Sequence, residues 1–130
     1  MAKLLVQLTG LFFIGYGLAF TLFPVEMATA VTGTGPSTAS GLIDLRATYG
    51  GMTLSVGIVL WLLAAKKTEL SFALLAIAII LLAMAAARGL GMLLDGVPNH
   101  FMYGYLFAEI IGAAIALGLR QSTVTESQNM

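Results

Sequence analysis

LSFALLAIAIILLAMAAA, residues Leu70 to Ala87, contains no charged side chain, and Arg88 follows it directly. An apolar run of this length is enough to cross the roughly 30 Å hydrocarbon layer of a bilayer as a helix. Three further apolar stretches, Leu4–Phe23, Ala47–Ala65 and Phe101–Leu119, approach the same length. The chain of 130 residues is 59% hydrophobic and 9% charged, whereas a soluble domain carries about 25% charged residues. Too few charges are present to build a water-facing surface. The fold class expected is all-α: a four-transmembrane-helix bundle in one domain, residues 1–120. Its spans fall at about residues 4–23, 44–65, 70–94 and 101–119, and the polar tail 121–130 is expected to be disordered.

The same composition excludes several function classes. Without cysteine, thiolate catalysis, iron–sulfur ligation and cysteine zinc sites are ruled out. Net charge is zero and no basic run occurs, so nucleic acid is not an expected partner. His100 stands alone, with no second ligand at metal spacing, and Gly89-Leu90-Gly91 follows no strand, so no nucleotide loop is indicated. No cofactor, metal or catalytic residue is assigned. Lys3 ahead of an apolar run, with Ala28-Thr29-Ala30 beyond it, imitates a secretory signal. The run exceeds the 7–15 residues of a signal core and is read as a retained span.

Charges outside the spans predict the topology. Lys3, Lys66, Lys67 and Arg120 flank the N-terminus, the second connection and the C-terminus. The first and third connections carry Glu26, Asp95 and His100 but no Lys or Arg. Positive flanks stay on the cytoplasmic side, so both termini are expected inside a bacterial inner membrane. The long first connection, Pro24–Ile43, allows a short helix over Val25–Val31 with Pro24 in its first turn. Thr32-Gly33-Thr34-Gly35-Pro36-Ser37 then breaks that helix. The connection is read as a loop on the outer headgroups or as a flap over that end of the spans.

Apolar helices gain little from one another in lipid, so small residues that permit close backbone approach decide packing. Gly10, Gly15 and Gly17 serve span one, Gly50, Gly51, Ser55 and Gly57 span two, and Ala83, Ala87 and Gly91 span three. Span four offers Gly104, Ala108, Gly112 and Ala116, read as one stripe that either packs within the bundle or receives a homo- or hetero-oligomeric partner.

Arg88 costs roughly 3 kcal/mol in a span on insertion scales. With a rise of about 1.5 Å per residue it lies roughly 10 Å from the outer end of its helix, and Glu109 lies at a similar depth in span four. Asp44 and Arg46 open span two on the same side, Tyr49 lies one turn further, and Asp95 sits two turns beyond Arg88 on its helix face. Glu109, between Leu106, Phe107, Ile110 and Ile111, is either protonated or paired with Arg88 or Arg46, since an unpaired ion in hydrocarbon is prohibitive. Arg46, Arg88, Glu109, Asp44, Tyr49 and Asp95 therefore form the candidate ligand-binding cluster. Its alternatives are purely structural pairing and a proton or ion pathway, and no charge continues the latter through the inner half of any span.

The segment Gly41-Leu42-Ile43-Asp44-Leu45-Arg46-Ala47-Thr48-Tyr49-Gly50-Gly51, followed by Ala87-Arg88-Gly89, Asp95-Gly96 and Glu109, resembles a family of small bacterial membrane proteins with four helices, described only as a domain of unknown function. Asp-x-Arg-Ala-x-Tyr-Gly-Gly is its most specific part. The architecture also looks, more distantly, like the DoxX-like membrane proteins, several of which assist larger systems. These resemblances imply no substrate or catalytic residue, and fold analogy does not carry function. The leading expectation is a non-enzymatic binding or accessory protein whose cluster holds an anionic or amphipathic small molecule, such as a lipid headgroup or quinone-like compound. The second is an auxiliary subunit whose charges are structural. A membrane enzyme using Glu109 as acid or base is third, and a transporter is further off, because four helices must oligomerise to enclose a path.

Overall fold

In lipid every backbone N–H and C=O must be bonded within the chain, and the chain meets that demand with helices. The computed structural model describes the backbone of residues 1–95 and 97–128, and side chains as far as Val124. The helices are α1 (Ala2–Leu22), α2 (Pro24–Thr32), α3 (Ala39–Leu45), α4 (Thr53–Ala64), α5 (Leu70–Leu94) and α6 (His100–Gln128). A π-helical segment, Arg46–Met52, joins α3 to α4, and a 3₁₀ turn, Lys67–Glu69, leads into α5. Four stretches are long and apolar enough to cross a membrane: Ala2–Leu22, Ala39–Ala64, Lys67–Leu94 and His100–Val124. Among the described residues there is no strand. The chain divides into two compact units, Gln7–Leu62 and, separately, Met1–Val6 with the chain from Leu63 onward.

In the first unit, α1 and α4 run antiparallel and touch backbone to backbone. A Cβ on Gly57 would stand 2.6 Å from both the Gly10 carbonyl oxygen and the Ile14 nitrogen. Seven residues further along α1, a Cβ on Gly17 would stand 2.8 Å from the carbonyl oxygen of Gly50, in the π-helical segment that leads into α4. Seven residues are nearly two turns, so Gly10 and Gly17 share one face of their helix and meet Gly57 and Gly50 in reverse order. Such contacts replace the missing hydrophobic drive with dense van der Waals packing.

The long connection contains α2 and the start of α3. Pro24 opens α2 without sacrificing a helical hydrogen bond. Pro24, Ala28 and Val31 are buried on one face. Gly33 ends the helix in the left-handed region at φ 90°, its N–H donating to the Thr29 carbonyl. Thr38 then caps α3 by accepting from the Gly41 N–H at 3.1 Å. The second span therefore begins at Ala39, before the expected residue 44, because a hydroxyl cap stands there.

In the other unit, Lys66 and Glu69 close the tight turn with N–H bonds to the Leu63 and Lys66 carbonyls. α5 buries Ala73, Leu74, Ile77, Ala78 and Ala85, a stripe at helical spacing. It packs on α6, where a Cβ on Gly112 would meet the Leu81 side chain at 2.8 Å. Asn99 caps α6 by accepting the Met102 N–H at 3.2 Å, which makes His100 the first residue of the helix. Gly96, in the same connection, and residues 129 and 130 of the tail lie outside the described residues. α6 does not stop near Leu119; its backbone stays helical to Gln128, through most of the segment expected to be disordered. The expected small-residue stripe of span four does not share one environment. Gly104 and Ala108 are exposed, Gly112 lies under Leu81, and Ala116 is fully buried. Spacing of four on a 3.6-residue helix drifts by about 40° per step, so the stripe winds around α6.

Candidate functional site

Arg88 and Glu109 meet. The Arg88 Nη2 donates to Glu109 Oε1 at 2.6 Å, and its Nε donates to both carboxylate oxygens at 3.2 and 3.0 Å. The planar guanidinium thus grips the carboxylate with a two-nitrogen fork, a geometry open to arginine and closed to lysine. The remaining nitrogen, Nη1, lies 3.3 Å from the Met102 sulfur, and the guanidinium carbon stands 5.1 Å from the centre of the Tyr105 ring. Met102, Tyr105 and Glu109 are spaced three and four residues apart on α6, hence on one face. That face supplies an acceptor, a π surface and a carboxylate to a single cation.

Burial is unequal across the pair. The Glu109 side chain is 5% exposed and the Arg88 side chain 19%. Glu109 is the one charged residue in the buried class among the described residues. Removing a hydrogen-bonded partner from such a pair strands a charge at a cost of about 3–5 kcal/mol, so the two positions are held together by mutual need.

The other expected members of the cluster have different surroundings. Asp95 is exposed at the C-cap of α5, with its Oδ2 3.3 Å from the position of a Cβ on Gly91. Arg46 donates through Nη1 to the Thr21 carbonyl near the end of α1. A helix C-terminus leaves carbonyls without intrahelical partners and carries the negative end of the dipole, so Arg46 acts there as a cap supplied by another helix. Asp44 is exposed, and its backbone carbonyl accepts from the Thr48 hydroxyl at 2.7 Å. Tyr49, half exposed, lies with its ring 5.3 Å from that of Phe20.

Two features of this region are invisible to helical periodicity. The first is the π-helical segment itself, which spans Arg46–Met52 and so contains most of the Asp-x-Arg-Ala-x-Tyr-Gly-Gly stretch. A π turn inserts a residue and rotates what precedes it; such turns concentrate at functional positions. The Gly50-Gly51 pair was a signal for it, since glycines accept irregular backbone readily. The second is an aromatic file along α1, Phe12, Tyr16 and Phe20, with centroid separations of 5.7 and 4.9 Å, which continues to Tyr49. Beside it lies a cavity of about 290 Å³ between the end of α1, α2 and the start of the second span, lined by Phe20, Ala28, Val31, Leu45 and Tyr49 among others. Among the described residues no group of acidic or histidine side chains is arranged to hold a metal ion.

The family described as "Domain of unknown function (DUF4345)" matches residues 1–119, which include every residue of the candidate cluster. No curated protein and no solved structure matches the chain. The chain, helical throughout its long segments with four helices long and apolar enough to cross a membrane, belongs to the DUF4345 family.

Proposed function

We propose that this chain is a non-enzymatic accessory protein of the bacterial inner membrane, with both termini in the cytoplasm, in which the Arg88–Glu109 pair is a structural clasp between α5 and α6. The observation that carries this reading is the donor accounting of Arg88. Nε and Nη2 are both directed to Glu109, and Nη1 to the Met102 sulfur. A guanidinium occupied in this way by its own chain specifies helix register, the best-attested use of buried charge. The small residues Gly104 and Ala108, exposed on α6, suit close approach by a partner helix, either a second copy or a larger complex.

A second reading, in which the same pair helps hold an anionic or amphipathic small molecule, draws on one fact. The Arg88 side chain keeps 19% of its surface exposed while Glu109 is nearly closed off, so an incoming anion has an edge to approach.

A double-mutant cycle separates the two. Arg88→Leu and Glu109→Leu each lower thermal stability in detergent by about 3 kcal/mol, and the double change recovers most of that loss, because two apolar side chains replace a satisfied pair at little cost. Native mass spectrometry is run on the same four proteins. Loss of a bound small molecule from the single variants, with stability intact, would transfer support from the clasp to the ligand.

A further inference from the structure

We propose that the Gln7–Leu62 unit holds one anionic membrane phospholipid, with an alkyl chain in the cavity beneath α2 and its phosphate on Arg46. The site lies within that unit alone and owes nothing to the Arg88–Glu109 clasp.

The wall of the cavity is apolar in effect as well as in composition. Phe20, Ala28, Val31 and Leu45 contribute carbon, and the two threonines on it turn their hydroxyls to their own backbone. Thr32 Oγ1 lies 2.8 Å from both the Ala28 and the Thr34 carbonyl and donates its one proton between them, and Thr34 Oγ1 donates to the Gly35 carbonyl at 3.4 Å. Neither threonine hydroxyl is left over for a polar ligand, and the wall's other hydroxyl, on Tyr49, belongs to a half-exposed side chain. A half-open cleft of about 290 Å³ with such a wall offers water few partners and leaves its lining short of dispersion contacts. The medium around a membrane-spanning helix supplies the matching occupant, an alkyl chain.

Charge and depth select the headgroup. The cavity lies where α1 ends at Leu22, the level at which a span of this length passes from hydrocarbon to headgroups. Arg46 follows Leu45 of the wall and donates to the carbonyl of Thr21, the residue after Phe20 of the wall. It is exposed, and among the described residues no carboxylate pairs with it. A cation beside a chain-sized apolar cavity at headgroup depth is complementary to a phosphodiester whose alkyl chain enters the cavity. Basic side chains recognise anionic lipid in this way at membrane surfaces.

The test is native mass spectrometry of the full chain in detergent, titrated with phosphatidylglycerol or phosphatidylcholine of the same acyl length. One phosphatidylglycerol is expected to be retained in preference to phosphatidylcholine. Ala28→Phe, which fills the cavity from α2, and Leu45→Trp, which fills it from the opposite wall, are each expected to weaken phosphatidylglycerol binding about tenfold through lost chain burial. Arg46→Gln is expected to weaken it about fivefold while leaving phosphatidylcholine unchanged. Ala30→Phe, with the same bulk on an exposed position of α2, should bind as the parent does. Equal retention of the two lipids by the parent chain, or undiminished phosphatidylglycerol binding in either cavity-filling variant with native helix content, overturns the proposal.

Discussion

Arg88 and Glu109 show how much one forbidden state can specify. Neither ion is tolerable alone in hydrocarbon, so each needs a partner, and depth left Glu109 a choice of Arg88, Arg46 or protonation, from which the structure takes Arg88. The fork geometry adds a prediction of its own. Arg88→Lys keeps the charge but loses the second nitrogen of the fork on Glu109; it should lower stability by roughly 1–2 kcal/mol, less than Arg88→Leu, as read by thermal unfolding in detergent. Arg46 resisted the same logic. It stood beside Arg88 as a possible partner of Glu109, and it donates to the Thr21 carbonyl. Every residue carries a carbonyl, so no side-chain pattern marks which one will be left over at a helix end.

At the scale of the element, glycine placement is the decisive variable in the α1–α4 pair. Gly10, Gly15 and Gly17 look alike in the sequence as small residues of one span. In the structure they differ sharply: Gly10 and Gly17 touch backbone, and a Cβ on Gly15 would meet nothing within 4 Å. Gly57→Ala should therefore destabilise the protein by about 2 kcal/mol, because the clash is with backbone atoms that cannot swing aside. Gly15→Ala should be neutral or stabilising by up to about 1 kcal/mol, since it removes only the entropic cost of glycine in a helix. Equal effects of the two changes on the unfolding midpoint would refute the close crossing. The π-helical segment belongs to this scale too. Hydrophobic periodicity assumes 3.6 residues per turn throughout, and an inserted residue at Arg46–Met52 breaks that assumption without altering composition.

For the molecule as a whole, the match over residues 1–119 places the chain in the DUF4345 family, and its four long apolar helices suggest a multi-pass membrane protein. The proposed orientation is open to a direct measurement, helped by the absence of native cysteine. Single cysteines at Lys67, Asn99 and Ser122 are exposed to a membrane-impermeant maleimide in intact spheroplasts. Asn99→Cys should label, and Lys67→Cys and Ser122→Cys should label only after lysis, because basic flanks are retained in the cytoplasm. The reverse pattern would invert the topology and, with it, the leaflet assigned to the lipid on Arg46.

What the sequence determined by itself was the class, the number of spans and the need of Arg88 and Glu109 for a partner. Each follows from a cost so large, exposure of apolar surface to water or burial of a lone charge in lipid, that no detail of packing can reverse it. What only the tertiary structure decided was which glycines meet, where the second span departs from the α-helix, how the span-four stripe divides between buried and exposed positions, and that Arg46 caps α1. Those outcomes turn on van der Waals fit and on single backbone hydrogen bonds, each worth only about a kilocalorie per mole net and open to many residue types. They are settled by the sum of neighbours in three dimensions, which a linear pattern does not contain.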